Sequence, residues 1–147
     1  MNRKAFAMDD SKAVDSVRSA VAALNDGNIQ GYLGSFDPGC LRWVAGLDQP
    51  LSLAEVSNGL EQLNTAFESL HLHEDLLFGD HRFAFARWRM RGRHVKNYLE
   101  FAARGKPIDV ETCEVYEIRG DRVVTTWTYG DLGQLFRQIA DEEADAL

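Results

Sequence analysis

Arginines occupy every second position from Arg87 to Arg93, and the residues set between and before them, Ala84, Ala86, Trp88 and Met90, are apolar. A period of two belongs to the β-strand, whose successive side chains leave opposite faces. A helix would scatter both sets around its axis. His81 to His94 is therefore read as a long strand with one charged face and one apolar face that covers a core; His94 shares the apolar parity.

A second strand, Pro107 to Ile118, sorts the same way. One parity holds Asp109, Glu111, Cys113, Val115 and Glu117, and the other Val110, Thr112, Glu114, Tyr116 and Ile118. If the two strands are neighbours, arginines and acids meet on one side and pair across the sheet. That leaves Glu114 among apolar residues, where a carboxylate is costly unless it is bonded or used. Neutralisation by an arginine or tyrosine competes with a catalytic role. Ser69 to Phe78 and Arg122 to Tyr129 complete the strands, with turns at Gly79-Asp80 and Gly120-Asp121.

The first half is helical. Val14, Val17, Val21 and Leu24 recur at three- and four-residue steps, with Asp10 or Ser11 as cap and Asn25-Asp26-Gly27 as stop. Ile29, Tyr32, Leu33 and Phe36 form a short second helix, ended by Pro38-Gly39, and Leu41, Trp43 and Ala45 alternate with Arg42 and Val44 in a short strand. Ser52 and Glu55 make a capping box for a helix whose buried stripe is Val56, Leu60, Leu63 and Phe67. A last short helix begins at Asp131. Helices followed by a meander of strands imply an α+β fold with helices packed on a curved sheet.

A chain of 147 residues fits one domain, assigned to 8–140, with 141–147 expected to be a frayed acidic tail. No apolar run is long enough for a membrane span, and the N-terminus turns acidic at Asp9-Asp10, unlike a signal peptide. Cys40 and Cys113 lack metal or disulfide-framework spacing, which suggests reduced thiols and a cytoplasmic protein. A net charge of −7 argues against nucleic acid and anionic membranes as partners. The arginine stripe is read as an ion-paired outer face or subunit interface. His71 and His73 alternate with Leu70 and Leu72 as exposed strand residues, and no third ligand is at hand, so no metal is expected.

Trp127, Tyr129 and Asp131 share a parity at the end of the last strand. Asp131 could simply cap the final helix. It could also look into the interior beside an indole and act as a general base. His94 could merely end its strand, and Trp88 and Trp127 could be core fillers.

Three stretches resemble the SnoaL-like polyketide cyclases: Phe85 to His94, Gly120 to Val124, and Trp127 to Gln138. These cyclases belong to the nuclear transport factor 2-like superfamily, with the ketosteroid isomerases, scytalone dehydratases and limonene epoxide hydrolases. The resemblance implies a cone-shaped α+β barrel, often dimeric, with a pocket between helices and sheet. It also implies an intramolecular aldol closure without metal or cofactor, with a carboxylate four residues after a tryptophan as acid/base. Asp131 matches that position after Trp127, and His94 matches the histidine of a Gly-x-His segment. Thr126 stands where many relatives have histidine, and Ala103-Arg104-Gly105 where they have Pro-Thr-Gly. On this reading Asp131, His94 and Glu114 are catalytic, Trp88, Met90, Trp127, Tyr129, Tyr116 and Tyr32 bind a small apolar carbonyl compound, and the outer sheet face forms a homodimer. The rival expectation is a non-catalytic ligand-binding or interaction domain on the same fold.

Overall fold

A computed structural model describes residues 3–131 and 133–140. The proposed tail, 141–147, lies outside them. Four helices, α1 (Arg3–Asn25), α2 (Ile29–Leu33), α3 (Leu53–Ala66) and α4 (Gly133–Ile139), pack on six strands. These are β1 (Phe36–Val44), β2 (Leu51–Ser52), β3 (Phe67–Gly79), β4 (Phe83–His94), β5 (Pro107–Arg119) and β6 (Arg122–Gly130), ordered β2-β1-β6-β5-β4-β3 in one open sheet. Only β1 and β6 run parallel, so the sheet is mixed. This is the expected α+β arrangement, down to the short C-terminal helix.

Local chemistry fixes most element ends. The Ser52–Glu55 capping box is formed on both sides, and Gly27 ends the α1 turn at φ 79°, where a Cβ would be strained. α1 starts at Arg3, well before the expected cap at Asp10 or Ser11. The second helix stops at Leu33, and Pro38-Gly39 lies inside β1, where the register to β6 shifts between Phe36 and Leu41. Proline cannot donate to a ladder, which fits its place at an irregularity.

α1 fills the inner face of the sheet. Its Ala13, Val17, Ala20 and Val21 are at most 5% exposed and belong to one core with Ala84, Ala86 and Trp88 of β4 and Tyr116 and Ile118 of β5. The parity read for β4 and β5 holds. A second cluster under α3 and α4 joins Phe67, Ile108, Val110, Leu135 and Ile139 with Met90 partly buried against it. α4 also closes the part of β5 that β6 does not reach. Gln134 and Gln138, one helical turn apart, bond the backbone N–H and C=O of Glu111 and Asp109.

On the outer face the arginines meet acids as expected. Arg89 lies 3.0 Å from Asp109 and 3.4 Å from Asp75, Arg91 lies 3.3 Å from Asp109, and Arg87 lies 3.5 Å from Glu111. The rest of that face corrects the sequence reading. Trp127 is paired with Val115, and Tyr129 with Cys113, so both side chains share the outer parity and line no interior pocket; Tyr129 is 52% exposed. Leu41 and Trp43 also point outward, 39% and 42% exposed. Sheet register then builds one apolar row across five strands: Trp43, Trp127, Val115, Phe85, Phe78. Hydrophobic alternation in β1 and β6 marks this row and not the core.

Candidate functional site

Inward-facing polar residues of β1, β5 and β6 fall into adjacent rungs of the sheet. Glu114 stands opposite Thr128, Tyr116 opposite Thr126, and Thr126 opposite Arg42. Because Leu41 and Trp43 turn out, Arg42 turns in. Its Nη2 donates to the Tyr32 hydroxyl of α2 at 2.7 Å and its Nε to the Thr126 hydroxyl at 3.3 Å. Trp88 Nε1 donates to the Tyr116 hydroxyl at 3.0 Å. Tyr32, Trp88, Tyr116 and Thr126 are at most 3% exposed, and Glu114 is 9% exposed.

Two oxygens of this set lack a partner. Glu114 Oε2 and Thr128 Oγ1 are buried and make no hydrogen bond. A buried acceptor without a donor costs about 1–3 kcal/mol, and more when charged, so such a group calls for a reason. Arg42 and Glu114 make no ion pair within 4.0 Å among the described residues, yet each feels the other's charge. Burial works against the Arg42 guanidinium, but the Tyr32, Glu114 and Tyr116 oxygens outweigh it and hold it above its ordinary value. Burial pushes the Tyr116 hydroxyl well up, and the Glu114 carboxylate pushes it further. Burial likewise raises Tyr32 against the pull of Arg42. Both tyrosines are therefore neutral donors over the ordinary pH range. Arg42 keeps its charge.

The other expected site residues lie elsewhere. Asp131 does not face the interior: its side chain is 61% exposed, accepts from the Gly133 N–H at 2.8 Å, and pairs with Arg137 at 2.8 Å. Arg137, then the Gly133 N–H, hold its carboxyl below the usual range. This is a helix-start carboxylate, and the outer parity of Trp127 and Tyr129 explains why it leaves the sheet on the solvent side. His94 is 1% exposed but stacks on Phe67, ring centroids 4.9 Å apart, in the second core cluster's neighbourhood. It lies eight residues along β4 from Ala86, the partner of Glu114, roughly 26 Å at strand rise. The two cannot act on one atom. Neither ring nitrogen has a partner in hydrogen-bonding geometry, the Lys96 backbone included. Met90 lines a narrow cleft of about 40 Å³ with Leu24, Leu60, Leu63 and Leu70.

Of the expected residues, the structure thus gathers Glu114, Tyr116, Tyr32 and Trp88. Arg42 and Thr128 escaped the sequence reading. His71 and His73 are exposed as read, their rings 4.4 Å apart, and no group of three metal-ligating residues occurs among the described residues.

The sequence model of the SnoaL-like polyketide cyclases matches residues 14–139. The chain belongs to that family. Solved structures bear the fold out. AclR, a hydroxylase candidate from Streptomyces galilaeus, superposes with a TM-score of 0.78 at 18% identity, covering 85% of this chain and 92% of its own. A polyketide cyclase candidate from Acidithiobacillus ferrooxidans gives 0.75 at 22% identity, with 88% and 94% covered. IdmH, a polyketide cyclase candidate from Streptomyces antibioticus, gives 0.74 at 17%, with 84% and 95% covered. No curated protein matches the sequence. In this SnoaL-like chain the inner polar set is the part of the fold with chemistry to offer. No helix of the described residues is long and apolar enough to cross a membrane.

Proposed function

We propose that this SnoaL-like protein is a cofactor-independent acid/base enzyme of the aldol cyclase or isomerase type, acting on a mostly apolar, carbonyl-bearing small molecule, with Glu114 as the proton-carrying group. The observation that carries this reading is the buried, unpartnered Oε2 of Glu114 among aromatic walls. Glu114 takes the proton of a C–H beside the carbonyl, and the electron pair moves onto the carbonyl oxygen as an enolate. In the cyclase case the enolate carbon attacks a second carbonyl of the same molecule. A C–C bond forms, and the new alkoxide recovers the proton from Glu114. In the isomerase case the proton returns to another carbon. Tyr116, Tyr32 and Trp88 supply the apolar wall. A water-poor surrounding strengthens each polar contact. Asp131 and His94 have no part in this step.

A non-catalytic ligand-binding domain is the second reading. The close packing of α1 over the inner face and the outward position of Asp131 favour it. Deuterium exchange into 2-tetralone, followed by NMR in D₂O, separates the two. Wild-type acceleration that Glu114→Gln lowers by about 10²–10⁴-fold supports the enzyme. Equal rates in both proteins remove Glu114, and no acceleration over buffer leaves the binding domain.

For the assembly, we infer a homodimer through the outer sheet face. The support is the apolar row from Trp43 to Phe78, whose ends are 42% and 55% exposed. Contiguous apolar surface of this kind marks an interaction site.

A further inference from the structure

Arg42 is the one positive charge turned toward the inner face among the described strand residues. The arginines of β4 stand on the opposite face, paired with Asp75, Asp109, Glu111 and Glu68. Its position is built. The Tyr32 and Thr126 hydroxyls each accept one hydrogen bond, from Nη2 and Nε respectively, which fixes the plane of the guanidinium and leaves further donors unassigned. On the adjacent inward rung, where Glu114 stands opposite Thr128, lie the two orphaned oxygens, Glu114 Oε2 and Thr128 Oγ1. A cation, a free hydroxyl and a free carboxylate oxygen thus surround one stretch of β6.

From this juxtaposition we propose that Arg42, aided by the Thr128 hydroxyl, is the group that holds the negative oxygen of a bound ligand. The ligand class is then a compound whose oxygen can ionise into conjugation, an enolisable ketone or a phenol. The inference rests on the reading of Glu114 given above, because a proton removed by Glu114 leaves its charge on that oxygen. Among the described residues, the neighbouring ionisable hydroxyls and thiol do not compete for it. Burial pushes the Cys40 thiol up to about 11, and burial raises both tyrosines, so Tyr32, Cys40 and Tyr116 remain neutral. The ligand oxygen therefore feels Arg42 in its favour and Glu114 against it. A guanidinium keeps its charge throughout the accessible pH range, which suits a donor that must not lose its proton to the enolate.

The test needs no substrate and no turnover. 4-Nitrophenol changes colour on ionising, so its bound ionisation constant can be read by titrating absorbance on the folded protein. With wild type, bound phenol should ionise at lower pH than free phenol, by about tenfold or more in its ionisation constant. Arg42→Gln keeps donors for Tyr32 and Thr126 and removes the charge. It should bring the constant to the free value or beyond. Glu114→Gln should keep or enlarge the wild-type shift, since it removes the opposing charge, even while it abolishes deuterium exchange. If wild type binds the probe and raises its ionisation pH, or binds no phenol at all, the assignment of Arg42 fails, whatever the variants do. An unchanged shift in folded Arg42→Gln overturns it equally. Loss of exchange in Glu114→Gln with no Arg42 effect would leave the base in place and discard only the oxyanion group.

Discussion

Gln138 holds Asp109 from both sides of one residue: its Oε1 accepts the Asp109 N–H at 2.6 Å, and its Nε2 donates to the Asp109 carbonyl at 2.8 Å. A side-chain amide here does what a neighbouring strand would do. β6 ends at Gly130, opposite Thr112, so the first residues of β5 would otherwise present an open edge. Gln134 repeats the device one turn earlier, at 3.2 and 3.3 Å on Glu111. Gln138→Leu should cost about 1–2 kcal/mol, since two ordinary hydrogen bonds are lost. Urea unfolding reads the loss, and amide exchange at Asp109 should rise with it. Unchanged stability would mean that water replaces the glutamine without penalty.

The carboxylate that starts α4 invites a comparison with the buried one. Asp131 is exposed and tied to Gly133 and Arg137, whereas Glu114 is enclosed, with its Oε2 free of any hydrogen bond. Asp131→Asn should leave deuterium exchange within about twofold of wild type, while loosening the start of α4 slightly, because an amide still caps. A loss of exchange comparable with that of Glu114→Gln would return Asp131 to the chemistry.

His94 gives the fold a pH limit. Burial first, with Arg104 adding to it, lowers the imidazole below its ordinary value of about 6.5. The unfolded chain then binds this proton more tightly than the native protein. The His94 contribution to stability is thus complete above about pH 6.5 and is lost as pH falls from there through the lower folded value. His94→Phe fits the stack on Phe67 and removes two unpaired nitrogens. It should stabilise by about 1 kcal/mol at pH 7, by more at pH 5, and flatten the acid limb between them. Thermal melts across that range decide it; a variant that melts lower at pH 5 would show that the imidazole has a partner in solution.

Much of this architecture could be read in the sequence where alternation is long and one-sided. In β4 the arginine parity is unbroken from Arg87 to Arg93, and in β5 Asp109, Glu111 and Glu117 share one parity, so the inner face, with Glu114 and Tyr116 on it, follows from counting. β1 and β6 defeat the count because the sheet has apolar residues on both faces. There the large side chains, Trp43 and Trp127, belong to the outer row, and the inward positions hold Arg42, Thr126 and Thr128. A rule that sends tryptophan inward and arginine outward assigns both strands backwards. Asp131 followed Trp127 to the wrong side for the same reason. The signal that could have corrected it was register. Trp127 pairs with Val115, which shares the parity of the acids already placed outside.

Trp43, Trp127, Val115, Phe85 and Phe78 follow one another across five strands, a span of roughly 19 Å at ordinary strand spacing. Phe78 and Phe85 already touch, their centroids 5.2 Å apart, and Leu76 and Tyr129 widen the patch on one side. A two-fold axis running along β5 through Val115 would lay the row of one copy over that of another, Trp43 against Phe78. The ion-paired half of the face would then sit over its own copy, with each arginine already compensated. A stable contact needs about 800 Å² from each partner, which a five-strand face can supply. Wild type should therefore sediment as a dimer at micromolar concentration. Phe78→Asp with Trp43→Asp should give a folded monomer, because like charges would face one another at both ends of the row and be desolvated on association. Arg91→Ala, on the compensated half, should leave the dimer intact. A monomeric wild type, or a double variant that still dimerises, would show that this face is not the interface.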